Sequence, residues 1–580
     1  MTIRTARRVS QIFFVLLLVW FCVAATLGDR FWQLRGWPVN WLLELDPLAG
    51  LATLLATRTL YAGLLWGLAT VALTVVLGRV FCGWVCPFGA LHQFVGWLGR
   101  RRLRSKLRVE ANRYRPAQRF KYYVLAAFLA AAALAPLGSG TLLIGLLDPL
   151  PLVQRSVSLV LLPLAERSGA LALSPLPRFY DGAGLIAAVF ATALALNLWV
   201  PRFYCRFVCP LGALLGLLGR YALWRIGRTG EGCTGCLKCE RNCEGACRPT
   251  GRIQISECVM CVNCLDDCAH AAIAYRTRPS SEGESLLPDL RRRGFLLSVA
   301  TGLVAAPTLR LGAATGPNWN PDLIRPPGAL AEEDFLARCI KCGQCMRVCP
   351  TNVIHPAGFE GGLEGLWTPR LNFRIGTSGC QHTCIACGQL CPTAAIRPLS
   401  LAERRGLQSF AGRGPVRIGT AFVDRGRCLP WAMDTPCIVC QENCPVSPKA
   451  IFTREVFTPV RATAPATVAR AEGSRIVLQG DTLVAGRFGT GDYHVLLPDG
   501  RRLRITANGP GWVETEPAPG PGTPAGSALA VQIRLQQPVV DPRHCIGCGV
   551  CEHECPVLGR RAIRVTAENE SREPHHRMML

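Results

Sequence analysis

The chain of 580 residues is half apolar, carries 30 cysteines, and sets 64 Lys and Arg against 39 Asp and Glu for a formal charge of +25. At roughly 100–200 residues per domain this predicts three to five domains. Most of the cysteines crowd into runs of four at two- and three-residue spacings, which disfavours a disulfide scaffold and favours metal clusters. The polar flanks of those runs push the apolar excess into other segments that read as membrane spans, and a soluble single-domain enzyme is excluded.

Five segments approach the about 17–25 apolar residues a span needs. They are 9–28, 59–77, 122–147, 183–200 and a marginal fifth at 294–309, which also reads as a signal-type apolar region. Basic residues orient the set. The leader carries Arg4, Arg7 and Arg8, and the stretch from Arg100 to Lys121 holds ten Lys or Arg against the single acid Glu110. Both are expected in the cytoplasm, with 29–58 and 148–182 as external loops. A solvated or nucleic-acid-binding patch is the other reading of 100–121, but its place between two spans favours topology, and no nucleic-acid partner is expected.

The first four spans form an internal repeat. Arg79-Val-Phe-Cys82-Gly-Trp-Val-Cys86-Pro87 returns as Arg202-Phe-Tyr-Cys205-Arg-Phe-Val-Cys209-Pro210, and Leu45-Asp46-Pro47-Leu48 returns as Leu147-Asp148-Pro149-Leu150. A helical Cys-x3-Cys puts its two sulfurs on one face. Cys82, Cys86, Cys205 and Cys209 are therefore candidate redox or metal pairs, with inert packing at a turn as the plainer alternative. Asp46 and Asp148 read equally as helix stops before proline and as proton-handling groups.

Residues 1–220 are expected as the membrane domain and 221–290 as a ferredoxin module on its cytoplasmic side. That module holds Cys233, Cys236, Cys239, Cys243, then Cys247, then Cys258, Cys261, Cys264 and Cys268. The spacing wraps two [4Fe-4S] clusters, the fourth cysteine of each run crossing to the other cluster. Nine thiols for eight places leave Cys243 or Cys247 spare, and Cys243 keeps the three-residue gap. Zinc is the competing metal. Residues 291–313 carry Arg291-Arg292-Arg293-Gly294-Phe295-Leu296, which resembles a twin-arginine export signal or serves as the basic flank of a fifth span. Either reading sends 314–580 to the periplasm.

That exported part carries sixteen cysteines in four sets. By the crossing rule Cys339, Cys342 and Cys345 take Cys391, while Cys380, Cys384 and Cys387 take Cys349. Likewise Cys428, Cys437 and Cys440 take Cys555, while Cys545, Cys548 and Cys551 take Cys444. Six [4Fe-4S] clusters follow in all. An insert at 451–540 has short β-like runs broken by Gly, Pro and Asp. The fold expected is a membrane α-helical bundle of four spans and a fifth, with α+β bacterial-type two-cluster ferredoxin modules on both sides and a small β-rich insert.

Nine histidines, of which only His92 lies in the expected bundle, leave no bis-histidine haem there, and no Cys-x-x-Cys-His, Gly-x-Gly-x-x-Gly or Walker motif brings c-type haem, flavin or nucleotide. Electron transfer with a quinol pool is the function such a set suggests. Four spans with two Cys-x3-Cys-Pro motifs followed by a two-cluster ferredoxin resemble the NapH type, shared in part with NosR, MauN and CcoG proteins. The exported part, with Cys428-Leu-Pro-Trp431 and Cys437-Ile-Val-Cys440, resembles NapG or MauM, so the chain is similar to both fused. The resemblance implies an inner-membrane protein passing electrons from quinol to a periplasmic reductase or other acceptor protein, with Cys82, Cys86, Cys205 and Cys209 near quinol oxidation. The alternative it implies is maturation of a periplasmic copper or quinone-cofactor enzyme. No stepping stone across the bilayer is visible in the sequence, which leads to the expectation that quinol is oxidised near the external loops.

Overall fold

The computed structural model describes residues 3–26, 38–100, 105–137, 142–314 and 320–577, apart from 175, 231, 289, 462, 464, 521 and 522. Residues 27–37, 101–104, 138–141 and 315–319, which take in parts of the expected first and third spans, the loop between 29 and 58, the basic loop and the start of the exported part, lie outside the described residues. The chain divides into two compact units, 1–377 with 383–416 and 378–382 with 417–580.

The first unit is built on a helical bundle. Its helices are α1 (Ile3–Thr26), α2 (Pro47–Thr57), α3 (Gly67–Leu77), α4 (Pro87–Arg100), α5 (Phe120–Ala133), α6 (Pro149–Ser156), α7 (Ala183–Ala195), α8 (Pro210–Leu218) and α9 (Arg292–Ala314). Among the described residues only α1 is long and apolar enough to cross a membrane; Pro47–Thr57, Gly63–Leu77 and Ala183–Leu198 are shorter apolar helices. The eleven residues of α2 rise about 16 Å, half of a hydrocarbon core of about 30 Å.

Helices also form outside the expected spans, α2 and α6 lying in the stretches expected as external loops, and local features set their ends. Asp46 follows the short helical turn Trp41–Glu44 and its cap Leu45 and starts α2, its carboxylate accepting from the Leu48 and Ala49 amides. Gly78 ends α3 with positive φ, and Pro87 and Pro210 each open a new helix. The apolar stripes of these pieces meet in one core that includes Leu48, Phe88, Leu150, Leu211 and Leu215. Helix α9 runs through the expected fifth segment and lies along α5, where Gly302 faces the Ala127 carbonyl so closely that only glycine fits.

Two small modules dock on this bundle. Residues 225–276 pair the strands Arg225–Arg228 and Ile273–Arg276 at the end bearing Arg4 and Arg7, called here the basic end. Residues 320–400, with the hairpin Ile354–Pro356 and Pro369–Leu371, dock at the opposite end beside Asp148, the aspartate end.

In the second unit the insert is a closed sheet. Strands β1 (Ile451–Pro459), β2 (Ala466–Glu472), β3 (Arg475–Leu478), β4 (Tyr493–Leu496), β5 (Arg502–Gly509), β6 (Trp512–Glu516) and β7 (Ala528–Val540) run in the order β4-β5-β6-β3-β2-β7-β1. A further β7–β4 pairing brings the sheet back on itself. Alternation sends Val468, Ile476, Val495, Ile505, Val513 and Ile533 inward to a core of their own. Closure removes the free edge that six strands would otherwise expose.

Candidate functional site

In the module at the basic end, Cys233, Cys236, Cys239 and Cys268 line one cavity of about 90 Å³. The other five sulfurs gather apart from them. Cys264 has Cys261, Cys258 and Cys243 as its nearest charged neighbours, and Cys247 Sγ lies 3.5 Å from Cys243 Sγ. Hydrogen bonds to Cys243 and Cys258, together with burial, push the Cys247 thiol well above its ordinary range, and the same bond holds Cys243 below it. In the second unit Cys428, Cys437, Cys440 and Cys555 line a tighter cavity of about 20 Å³, and Cys551 neighbours Cys548, Cys545 and Cys444. At the aspartate end Cys339, Cys342 and Cys345 surround Cys391. Cys349, Cys384 and Cys387 belong to the first unit and Cys380 to the second.

Among the described residues no three Cys, His, Asp or Glu converge on a point that would hold a single metal ion. A cluster distributes its thiolates over several irons, and four cysteines around a small cavity fit that group. These five sets each draw three members from one run and the fourth from the partner run.

The repeat cysteines sit where both copies meet. Cys82 lies in a π turn, Phe81–Val85, and Cys86 caps its end. Cys86 Sγ accepts from the Gly89 amide at 3.4 Å, and Cys209 Sγ accepts from the Gly212 amide at 3.2 Å. These are equivalent positions, each at the start of a helix opened by proline. Arg79, of the first copy, donates to Cys82 Sγ at 3.8 Å and lies 3.1 Å from where a Gly212 side chain would begin. Its counterpart Arg202 donates to the Cys82 carbonyl at 3.1 Å and stands 3.6 Å from the same point on Gly89. Each arginine thus reaches into the other copy's cysteine loop.

The same residues hold the docked module. Arg79 donates to the Ser256 carbonyl at 2.6 Å, Trp84 Nε1 to the Met260 carbonyl at 2.9 Å, and Arg7 to the Cys261 carbonyl. Glu244 pairs with Arg7 at 2.6 Å and with Arg202 at 2.9 Å, all three buried. Glu257 takes Lys121 at 2.6 Å and the Tyr122 hydroxyl at 2.9 Å. None of these positioning residues was singled out from the sequence. The signal for Arg79 and Arg202 was their shared place in the repeat.

At the aspartate end Asp46 and Asp148 are fully buried and face each other at hydrogen-bonding range once one of them carries a proton; as two carboxylates, their facing oxygens would have no donor. Arg155 donates to the Gly145 carbonyl at 2.5 Å, to that of Leu146 at 2.8 Å, and to that of Lys341 in the module at 3.4 Å. Tyr204, next to Cys205, donates to the Leu147 carbonyl.

Beside the Cys82–Cys86 turn, α1 and α4 line an open apolar cavity of about 430 Å³ whose wall side chains are exposed. Ile12, Leu16, Phe94 and Trp97 form its walls, and Gln11 and Gln93 its polar end. Gln11 Nε2 donates to the Gly83 carbonyl and to Gln93 Oε1, each at 2.6 Å. This cavity lies at the basic end, opposite the loops expected to receive quinol.

Family models for a 4Fe-4S binding domain match residues 59–106 and 180–229, the two copies of the repeat, and residues 335–355 and 538–558. The chain is a relative of the NapH- and NosR-type ferredoxin proteins. It is 27% identical to the ferredoxin-type protein NapH of Escherichia coli over 253 residues, 41% of this chain and 77% of that one. It is 29% identical to the regulatory protein NosR of Pseudomonas aeruginosa over 204 residues, 35% of this chain and 25% of that one. It is also 30% identical to the methylamine utilization ferredoxin-type protein MauM of Methylophilus methylotrophus over 136 residues, 23% of this chain and 54% of that one. The matched stretches thus span from a quarter to about three quarters of these relatives. No solved structure matches the chain. These matches make the chain an iron–sulfur protein of the electron-transfer type, related to NapH, NosR and MauM.

Proposed function

We propose that the protein carries electrons from membrane quinol to a periplasmic reductase or other acceptor protein, with residues 221–290 on the cytoplasmic side, 314–580 exported, and the bundle spanning the inner membrane. Six [4Fe-4S] clusters, on the cysteine sets described above, would supply one-electron carriers. The alternative, maturation of a periplasmic copper or quinone-cofactor enzyme, uses the same electron flow with a different last acceptor.

The observation that carries the reading is the apolar cavity between α1 and α4. Its walls suit an isoprenoid tail or acyl chain, and its polar end is one hydrogen bond from Gly83, between Cys82 and Cys86. Concave apolar sites with a few placed polar groups are the usual form of small-molecule sites. Gln11 and Gln93 offer an amide donor and an amide acceptor to a quinol hydroxyl once their mutual bond opens. Arg8, at the mouth, favours negative charge on the oxygen that loses its proton.

The test is anaerobic quinol addition to the full chain in detergent, followed by EPR. Wild type is expected to show cluster reduction, and Leu16→Trp, which fills the cavity, to slow it at least roughly tenfold, a barrier change of about 1.4 kcal/mol, with dithionite reduction unchanged. Equal quinol rates in the two proteins would remove the cavity from the pathway, and co-purified phospholipid held by wild type but not by the variant would assign it to lipid.

A further inference from the structure

We infer that Cys82, Cys86, Cys205 and Cys209 together hold one iron–sulfur centre, shared by the two copies of the repeat and placed between the two docked ferredoxin modules. The inference rests on the electron-transfer reading and supplies the intermediate carrier that the sequence alone did not show.

The cysteine count comes first. Each copy separately matches a 4Fe-4S domain model, yet each has two cysteines in its motif, and an iron–sulfur cluster takes four. One copy cannot complete a site, but both together can. Geometry brings the two pairs together: Arg79, which donates to Cys82 Sγ, lies 3.1 Å from the point where a Gly212 side chain would begin, and Cys209 Sγ lies 3.3 Å from that same point.

Donors aim at these sulfurs in a symmetric pattern. The Gly89 and Gly212 amides, equivalent in the repeat, donate to Cys86 and Cys209, and Arg79 donates to Cys82. Arg79 and Arg202 are both buried, and each lies against the other copy's loop. Two backbone amides and the Arg79 guanidinium directed at sulfur match electron-rich, metal-bound thiolates, while Arg202 is held by Glu244. A local two-fold relation with two thiolates on each side also fits a two-iron, two-sulfide centre, in which each iron takes two cysteines.

The position is continuous with both modules. On one side Arg79 joins Cys82 to the Ser256 carbonyl, and Trp84 reaches Met260, inside the Cys258–Cys261 loop. On the other, Tyr204 joins the Cys205 turn to Leu147, and Arg155 joins Leu146 to Lys341, inside the Cys339–Cys342 loop. Each passage moves one electron. The reductant is the cluster bound by Cys258, Cys261 and Cys264, the oxidant the cluster bound by Cys339, Cys342 and Cys345, and one iron of the shared centre alternates between ferric and ferrous with no bond made or broken.

The experiment uses the full chain, purified anaerobically in detergent and reduced with dithionite. A reduced two-iron centre keeps its EPR signal on warming through temperatures that broaden four-iron signals away, so wild type is expected to show such a signal. Cys86→Ser and Cys209→Ser, in opposite copies, are each expected to abolish it while the low-temperature four-iron signals remain. Absence of the signal in wild type overturns the inference even if neither variant folds. So does its persistence in either variant, or alkylation mass spectrometry that finds the four cysteines as disulfides. Quinol in place of dithionite then separates the two readings: a signal formed by dithionite but never by quinol leaves the centre in place and sinks the quinol pathway.

Discussion

Gly83 lies against the backbone carbonyl of Val259 so closely that no side chain fits between them. Gly145, at the other end of the bundle, meets the carbonyl of Ile340 in the same way. Val259 and Ile340 each follow the first cysteine of their run, so both modules present the same point of their cysteine loops to a glycine of the bundle. Gly83→Ala and Gly145→Ala are each expected to cost about 1–3 kcal/mol by overpacking and to loosen only the module they touch. Limited proteolysis in detergent checks this, with faster cleavage of 225–276 in the first variant and of 320–400 in the second. Gly251→Ala is the control, since its side chain would meet nothing within 4 Å.

Glu244 is the anion between Arg7 and Arg202. Removing one partner from a buried ion pair leaves an uncompensated charge and costs about 3–5 kcal/mol. Glu244→Ala is expected to lower the thermal unfolding midpoint of the full chain sharply. Glu244→Gln, which keeps an oxygen acceptor for one arginine but not the charge, should fall between. Equal midpoints for all three proteins would show that the two guanidinium groups find other anions.

Much of this arrangement could be read from the sequence, though unevenly. The runs of cysteines exposed the sets because cluster ligation fixes both spacing and crossing, and Cys268 and Cys555 do lie with the runs that the crossing rule pairs them with. The repeat was legible through Cys82 and Cys205. The docking was not. It depends on the one place where the copies differ most, Gly83 against Arg206: glycine admits the Val259 carbonyl, while Arg206 turns to Gln118 at 2.9 Å. Hydropathy marked the apolar stretch that ends at Leu77 but not the helix α2 inside an expected loop, because capping by Asp46 is a local backbone event. The insert read as short β runs, but its closure depends on β7 pairing with three other strands along its length, which no local pattern specifies.

His355 makes the contact at the aspartate end depend on pH. Its Nδ1 accepts from the Asp181 amide at 3.1 Å, which requires a neutral ring, and burial with Arg370 nearby lowers its pKa from 6.5 to about 4. The unfolded chain therefore binds the proton first. Stability is full above about pH 6.5, falls as pH drops toward 4, and levels off below, a loss of up to about 3 kcal/mol. His355→Gln keeps an acceptor and does not titrate, so the difference in unfolding midpoint between wild type and variant should grow on acidification through this window. A constant difference would show that His355 is not the group involved.

Cys243 and Cys247 compete for one ligand place. The Cys247 amide donates to Cys243 Sγ at 3.4 Å, and the two sulfurs lie 3.5 Å apart. Cys243 accepts from the Cys247 amide, and either sulfur can donate in the second contact; with Cys247 as that donor, Cys243 is the ligating thiolate. Cys243→Ser is expected to remove about four irons from the full chain, one cube. Cys247→Ala should keep the iron but lower that cluster's reduction potential, because a hydrogen bond to a ligand sulfur stabilises the more negative, reduced state. Iron analysis and a redox titration followed by EPR measure both effects. Loss of four irons from Cys247→Ala with none lost from Cys243→Ser would exchange the two roles.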